Sequence, residues 1–546
     1  MKNFFRRTPD NGTGPRGVSI RVRRHNRPAR EKASEQRGIS RQLGIAVILA
    51  SLFYLAAHYA IVTGIWPVHG SAPGADNLLM RDGIAWAAWL LLFPALYLTG
   101  YRGVWGIIAL PVIIFFLTRP SLFQLFTDPV YQTRGSARIE ANTLKADRAR
   151  VTTILRVYDE ERRQLVFGET GVPATPAPAE AVTEAAAEAT RSLSPGAVLP
   201  VIVAPIALLL GYLVARHRGV LRWFRDHRQL PFVITLGGFF ILTLFFVELG
   251  RVGGTTPWEL FLPVFVAVWA AVLADDSYNL ARPGGVLTLR RFGAMLLYGA
   301  MPIVPFLIIR ELGLSVVLAG SFATMLLVGT RREWWAGVML AVWIVLVVAA
   351  FNLDDRSATR LQLAINPYRD FSEMTEAETR SWAARMHQFK LFDANVLEGG
   401  LLGEGAGRGH PETAPNAADD GYITTIAANW GLLGTISLVM LYTAFIIQML
   451  SVATRERSAF ERSLVTGLAM LIAIPFWMAA LGGVRAAPLT GVATAFAAHG
   501  GAKLLAASLS IGVIAAVSHR RANAARFEAA AESMHGDPDD RGIRIL

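Results

Sequence analysis

Apolar runs about as long as a bilayer is thick recur along this chain, and they constrain its fold more than any other feature. A hydrocarbon core takes roughly 20 helical residues to cross. Many segments here reach that length, and residues 334–351 (WWAGVMLAVWIVLVVAAF) carry no charged residue at all. A soluble helix of that length would show a polar face. The balance of residue types agrees: 53% are hydrophobic and 17% charged, against about 25% charged in soluble domains. The expected fold is an all-α polytopic membrane protein.

Twelve spans are expected, at about 42–64, 84–100, 103–118, 197–215, 231–250, 257–274, 292–310, 312–329, 334–351, 421–450, 463–483 and 491–517. The run at 103–118 is the shortest, and the spans 292–310 and 312–329 are divided by Glu311 alone. Lys and Arg set orientation, because basic loops stay in the cytoplasm. The N-terminal tail, the loop 216–230, Arg290 and Arg291, Arg331 and Arg332, Arg455 to Arg462, and His519 to Arg521 all fall on one side if twelve spans start inside. This accounts for the net charge of +12 without a nucleic-acid partner. Some forty polar, Arg-rich residues before the first run argue against a cleavable signal peptide. The absence of cysteine excludes disulfides and thiolate metal ligands.

The expected organisation is a basic cytoplasmic tail (1–41), a first group of transmembrane helices (42–118), an extracytoplasmic helical and Pro/Ala-rich insert (119–196), a transmembrane core (197–520) holding a large extracytoplasmic loop (352–420), and a cytoplasmic C-terminal tail (521–546). Loops on a rigid scaffold are where binding and catalysis concentrate.

No P-loop, HExxH or GxSxG is present. The outer loop instead carries a Gly-rich run, Gly399 to Gly409 (GGLLGEGAGRG), and then the carboxylate pair Asp419 and Asp420 at the mouth of the tenth span. One reading of the pair is an N-cap, which satisfies orphan N–H groups. The other is a base or metal ligand at the membrane surface, which the helix dipole supports by favouring the charged form. Glu259 opens the sixth span, Glu311 marks the turn before the eighth, and His499 is embedded in FAAHGGAKLL. Ionisable groups at membrane depth face a partner or a cavity. For the two glutamates a cap or snorkelling is the plainer alternative, and for His499 a packing role is.

These features, in this order, resemble the SEDS family (FtsW, RodA, SpoVE). Residues 415–434 (PNAADDGYITTIAANWGLLG) align without a gap to a family stretch, with Pro415, Asp420, Gly431 and Gly434 on its fixed positions. The preceding Gly-rich run containing Gly403, Glu404 and Gly405 resembles the family's G-G-L-x-G-x-G-x-G. Thr256-Pro257-Trp258-Glu259 resembles Q-P-S-E, and Arg310-Glu311-Leu312-Gly313 resembles P-D-L-G. Arg360 with Asn366-Pro367, and Pro488, Gly491 and His499-Gly500-Gly501, match further family positions over about 240–520.

The resemblance implies a SEDS-like helical core that polymerises lipid II, an undecaprenyl-pyrophosphate glycan, into peptidoglycan on the outer face of the bacterial inner membrane, in cell division or cell-shape maintenance. It implies a class B penicillin-binding protein as partner, Asp420 as catalytic carboxylate, and a divalent cation (Mg or Mn), with Asp420 as a ligand, for the pyrophosphate. Arg360, Lys390 and Arg408 are candidates to meet the same leaving-group charge, though exposed loop cations are usually only solvated. The chain departs from the family at Asp419 (Thr), Ala428 and Asn429 (paired Glu), Leu262 (Lys), Val252 (Trp) and Val492 to Ala495 (V-P-L-P), and it carries about two further N-terminal spans. A non-catalytic membrane scaffold, or a flippase or polymerase of another undecaprenyl-linked glycan, are the competing readings.

Overall fold

A computed structural model describes residues 29–69, 71, 74–127, 195–249, 257–281, 289–308, 312–330, 333–351, 391–406, 408, 417–419, 421–484, 486–487 and 491–534. Residues 128–194 of the expected insert and 352–390 of the expected outer loop lie outside them. Regular structure among the described residues is helical throughout. The N-terminal helices are α1 (Ala29–Ala60), prolonged by a π-helical turn (Ile61–Ile65), then α2 (Ala75–Leu98) and α3 (Gly106–Thr127). After them come α4 (Pro195–Arg216), the short basic α5 (Arg218–Asp226), α6 (Gln229–Leu249) and, behind a 3-10 turn (Pro257–Phe261), α7 (Leu262–Ala281). The rest are α8 (Leu289–Ala300), α9 (Val304–Ile308), α10 (Leu312–Thr330), α11 (Glu333–Phe351), α12 (Tyr422–Arg455), α13 (Ala459–Gly483) and α14 (Gly501–Met534).

Helix α1 shows what solvent this fold is built for. Val47, Ala50, Tyr54 and Ala57 line its buried stripe, while Ile45, Ile48, Leu49 and Leu52 point outward and are exposed. Both faces are apolar, as a helix between protein and lipid requires, and a water-facing surface would not carry such a patch. Nine helices among the described residues are long and apolar enough to cross a membrane. Of the twelve expected spans, 231–250 and 334–351 correspond to α6 (Gln229–Leu249) and α11 (Glu333–Phe351). The expected span 292–310 is two helices, α8 and α9. Pro302 and Pro305 lie at the break, and proline can neither donate an N–H nor fit beneath the preceding turn of a helix.

Several boundaries differ from expectation: the second span begins at Ala75 rather than 84, and the last helix runs on to Met534 rather than 517. The third span does not stop at 118: α3 continues to Thr127, and only Leu117 and Phe126 of its residues are not buried. This makes it an enclosed helix of the bundle. The last span starts at Gly501 rather than 491, and residues 491–500 form non-helical chain.

Packing is closest where side chains vanish. A Cβ added to Gly512 of α14 would collide with the Leu208 carbonyl of α4, and one on Gly211 would meet Leu509. Small residues at such crossings let helix backbones approach in membranes.

Charged side chains gather at the two ends of the bundle. At one end Arg520 binds Glu461 at 2.8 Å and also the Ala215 carbonyl, the Arg102 N–H donates to His519 Nδ1 at 3.0 Å, and Arg225 and Arg228 reach Asp275. At the other end lie Glu259, the Gly-rich run, Asp419 and His499.

Candidate functional site

Helix α12 breaks at Gly431, whose backbone (φ 66°, ψ −170°) lies far from helical values. Hydrogen bonds in an α-helix run from each N–H to the carbonyl four residues back, so this break frees the pairs Leu432 with Ala428 and Leu433 with Asn429. The Gly-rich run takes up all four groups. Leu432 and Leu433 N–H donate to the Gly400 and Leu401 carbonyls at 2.9 and 3.1 Å, and Glu404 and Gly405 N–H donate to the Ala428 and Asn429 carbonyls at 3.0 and 2.9 Å. The exchange satisfies each of them, as burial demands.

The glycines follow from this exchange. Gly403 (φ 81°) and Gly431 both need left-handed backbone. A Cβ on Gly403 would strike the Asn429 carbonyl, and one on Gly431 would strike the Gly403 N and Leu401. The side chains of Glu404 and Arg408 in the same run are exposed, and the Arg408 N–H donates to the Gly405 carbonyl at 3.2 Å.

The carboxylate turn is fixed from two sides. Ala417 and Ala418 are buried. The Thr425 hydroxyl donates to the Ala417 carbonyl at 2.7 Å, and the His499 N–H donates to the Ala418 carbonyl at 2.7 Å. Asp419 follows, half-buried. The N-cap of α12 is Gly421, two residues after Asp419. Asp420, Glu311, Arg360 and Lys390 lie outside the described residues.

His499 sits at the end of the non-helical stretch, its ring edge-on to Phe126 at 4.9 Å. Burial, and after it the Arg119 guanidinium, hold its imidazole below the ordinary histidine value. The same stretch contains Phe496 at φ 66°, a left-handed conformation that costs an aromatic residue of order 1–3 kcal/mol. Its carbonyl accepts from the Thr118 hydroxyl of α3 at 3.0 Å.

Glu259 is buried and paired. Its carboxylate lies 3.5 Å from Lys503 Nζ in the first turn of α14, both side chains less than a tenth exposed. Sequence reasoning misses Lys503, although a lysine four residues after His499 inside an apolar run is the available signal.

It also misses a second buried charge group. Arg119 of α3 grips Asp82 of α2 through Nη2 (2.7 Å) and Nε (3.0 Å), and His58 of α1 reaches Asp82 at 3.2 Å. All three are buried. In the sequence, Arg119-Pro120 reads as the end of a span.

Among the described residues no group of three or more His, Asp or Glu side chains could hold a metal ion.

Residues 206–523 match the model of the FtsW/RodA/SpoVE family, described as cell cycle protein. RodA from Mycobacterium tuberculosis, a peptidoglycan glycosyltransferase, is 30% identical over 210 residues, 38% of this chain and 42% of that protein. The chain thus spans about two fifths of that relative's length. A probable peptidoglycan glycosyltransferase FtsW from Geobacter sulfurreducens is 23% identical over 311 residues, 54% of this chain and 79% of the relative. Among solved structures, a chain of a peptidoglycan synthase complex covers 61% of this chain and 91% of its own at 18% identity and a TM-score of 0.45.

Proposed function

Because this chain belongs to the FtsW/RodA/SpoVE family, we propose that it polymerises lipid II into peptidoglycan strands, in cell division or cell-shape maintenance, with Asp420 as the catalytic carboxylate. The observation that carries this reading is the docking of the Gly-rich run into the kink at Gly431. The docked run and the turn before Asp420 meet on one helix, α12, at one end of a membrane bundle. That end is proposed to face outward and the basic end inward, with both termini cytoplasmic.

In this mechanism the Asp420 carboxylate accepts the proton of the acceptor sugar's 4-hydroxyl. That oxygen bonds to the anomeric carbon of the donor, the bond from that carbon to the pyrophosphate oxygen breaks, and undecaprenyl pyrophosphate leaves. Fixed cations at the same end meet the leaving-group charge, which a preorganised site stabilises better than water. Lys503 and Arg408 are two described cations at that end; Arg360 and Lys390 are proposed to join them. A class B penicillin-binding protein is the proposed partner.

The test is a lipid II polymerisation assay on the purified protein with its cognate penicillin-binding protein. Wild type makes polymer, and Asp420→Ala loses about 10²–10⁴-fold, the range of a positioned general base. A chelator arm asks separately for a divalent cation. If folded, partner-bound wild type makes no polymer, the reading fails in favour of a scaffold. Lipid II moved across vesicles but left unpolymerised favours a flippase.

A further inference from the structure

The three N-terminal helices lie wholly outside the residues that match the family, 206–523, yet one of them, α3, is enclosed by the bundle and touches both halves of the candidate site. On the kink side, the Trp430 indole N–H donates to the Ser121 hydroxyl at 3.0 Å and the Asn429 amide donates to Gln124 Oε1 at 3.0 Å. Asn429 and Trp430 are the two residues immediately before Gly431. On the carboxylate side, Phe126 packs against His499, whose N–H holds Ala418 one residue before Asp419.

Those contacts come from the last two turns of α3, and one group anchors that segment. The Arg119 guanidinium lies 6.0 Å from the Phe126 ring centroid and is fixed at its other side by the forked bond to Asp82. Asp82 is itself braced: His58 bonds its carboxylate, and the Tyr54 hydroxyl donates to its backbone carbonyl at 3.0 Å. A continuous line of contacts therefore leads from α1 and α2 through Arg119, Phe126 and His499 to the turn that precedes Asp420.

We propose that Arg119 is a positioning residue of the candidate site, and that the helices preceding the family region are part of the catalytic apparatus, with Asp82 as the anchor. The catalytic half of this inference rests on the glycosyltransferase reading above; the positioning half does not.

A buried ion pair that served folding alone could be exchanged for apolar residues of similar size at little cost, whereas removing one partner would strand a charge. The test uses this asymmetry. In Asp82→Leu/Arg119→Met the pair is removed together. The chain has no cysteine, so an added Asp419→Cys is the only thiol, and its labelling rate with a membrane-impermeant maleimide reports the turn directly. The double variant is expected to stay folded, to label severalfold faster at position 419 than the Asp419→Cys parent, and, with Asp419 intact, to lose about 10²-fold in kcat at unchanged KM, the effect of an ångström-scale misplacement. Phe126→Leu, which cuts the line without touching the ion pair, is expected to change labelling in the same direction, and it serves if the double variant fails to fold. Parental labelling rates in Phe126→Leu and in any folded double variant overturn the proposal. Altered labelling in a protein whose wild type makes no polymer keeps the positioning role and sinks the enzymatic reading instead.

Discussion

Gly431→Ala is expected to unfold at a markedly lower temperature than wild type and to make no polymer. The residue combines positive φ with extended ψ, a region open essentially to glycine, and strain there costs of order 1–3 kcal/mol. The added Cβ also points into the Gly403 N and the Leu401 backbone, so the Gly-rich run has to withdraw. Withdrawal breaks four hydrogen bonds at once, each worth about 0.5–1.5 kcal/mol net when both partners find water, and more for any group left buried and unpaired. The control is Gly44→Ala in α1, where a Cβ meets nothing within 4 Å and the change is neutral or stabilising by up to about 1 kcal/mol. Thermal unfolding in one detergent reads both variants. Equal melting temperatures for Gly431→Ala and wild type would show that the loop does not depend on the kink.

The second large effect is expected at the Glu259 and Lys503 pair. Both side chains are under a tenth exposed and 3.5 Å apart. Glu259→Gln leaves a buried ammonium without its counter-charge, and Lys503→Met leaves a buried carboxylate; either is expected to cost about 3–5 kcal/mol. The double variant Glu259→Gln/Lys503→Met, which leaves no charge behind, is expected to recover most of that loss in stability. Denaturant unfolding of the four proteins forms a double-mutant cycle. Simple addition of the two single losses would mean that the charges do not interact. Polymerisation is expected to stay low in the double variant, because the cation near the leaving group is gone.

Much of this arrangement is legible in the order of residues alone. The apolar runs place the helices, and the spacing of Gly403, Gly405 and Gly431 in a family-like order points to the loop and the tenth span. What those glycines do is not legible, because the exchange joins residues 400–405 to 428–433 and neither segment declares a partner locally. Arg119 shows the same limit more sharply. A hydropathy window meets an arginine followed by proline and ends the span there. The compensating charge is Asp82, 37 residues earlier, and only tertiary contact cancels the cost of burying both. Lys503 blends into an apolar helix for the same reason, since its partner Glu259 comes from a helix start far upstream. Asp419 and Asp420 are legible as a pair at a helix mouth, but the capping position is Gly421, one residue on.

The way α12 is stitched to the loop also bears on the timing of synthesis. A segment entering a bilayer with its backbone interrupted would carry two bare carbonyls and two bare N–H groups into hydrocarbon, at several kcal/mol apiece. Residues 400–405, which supply all four partners, precede α12 in the chain. They have therefore left the ribosome before Gly431 does, and the segment can meet its complement as it arrives. A rearranged chain with the Gly-rich run moved behind α12 would hold the same contacts when finished, but its tenth span would have to insert with the gap still open.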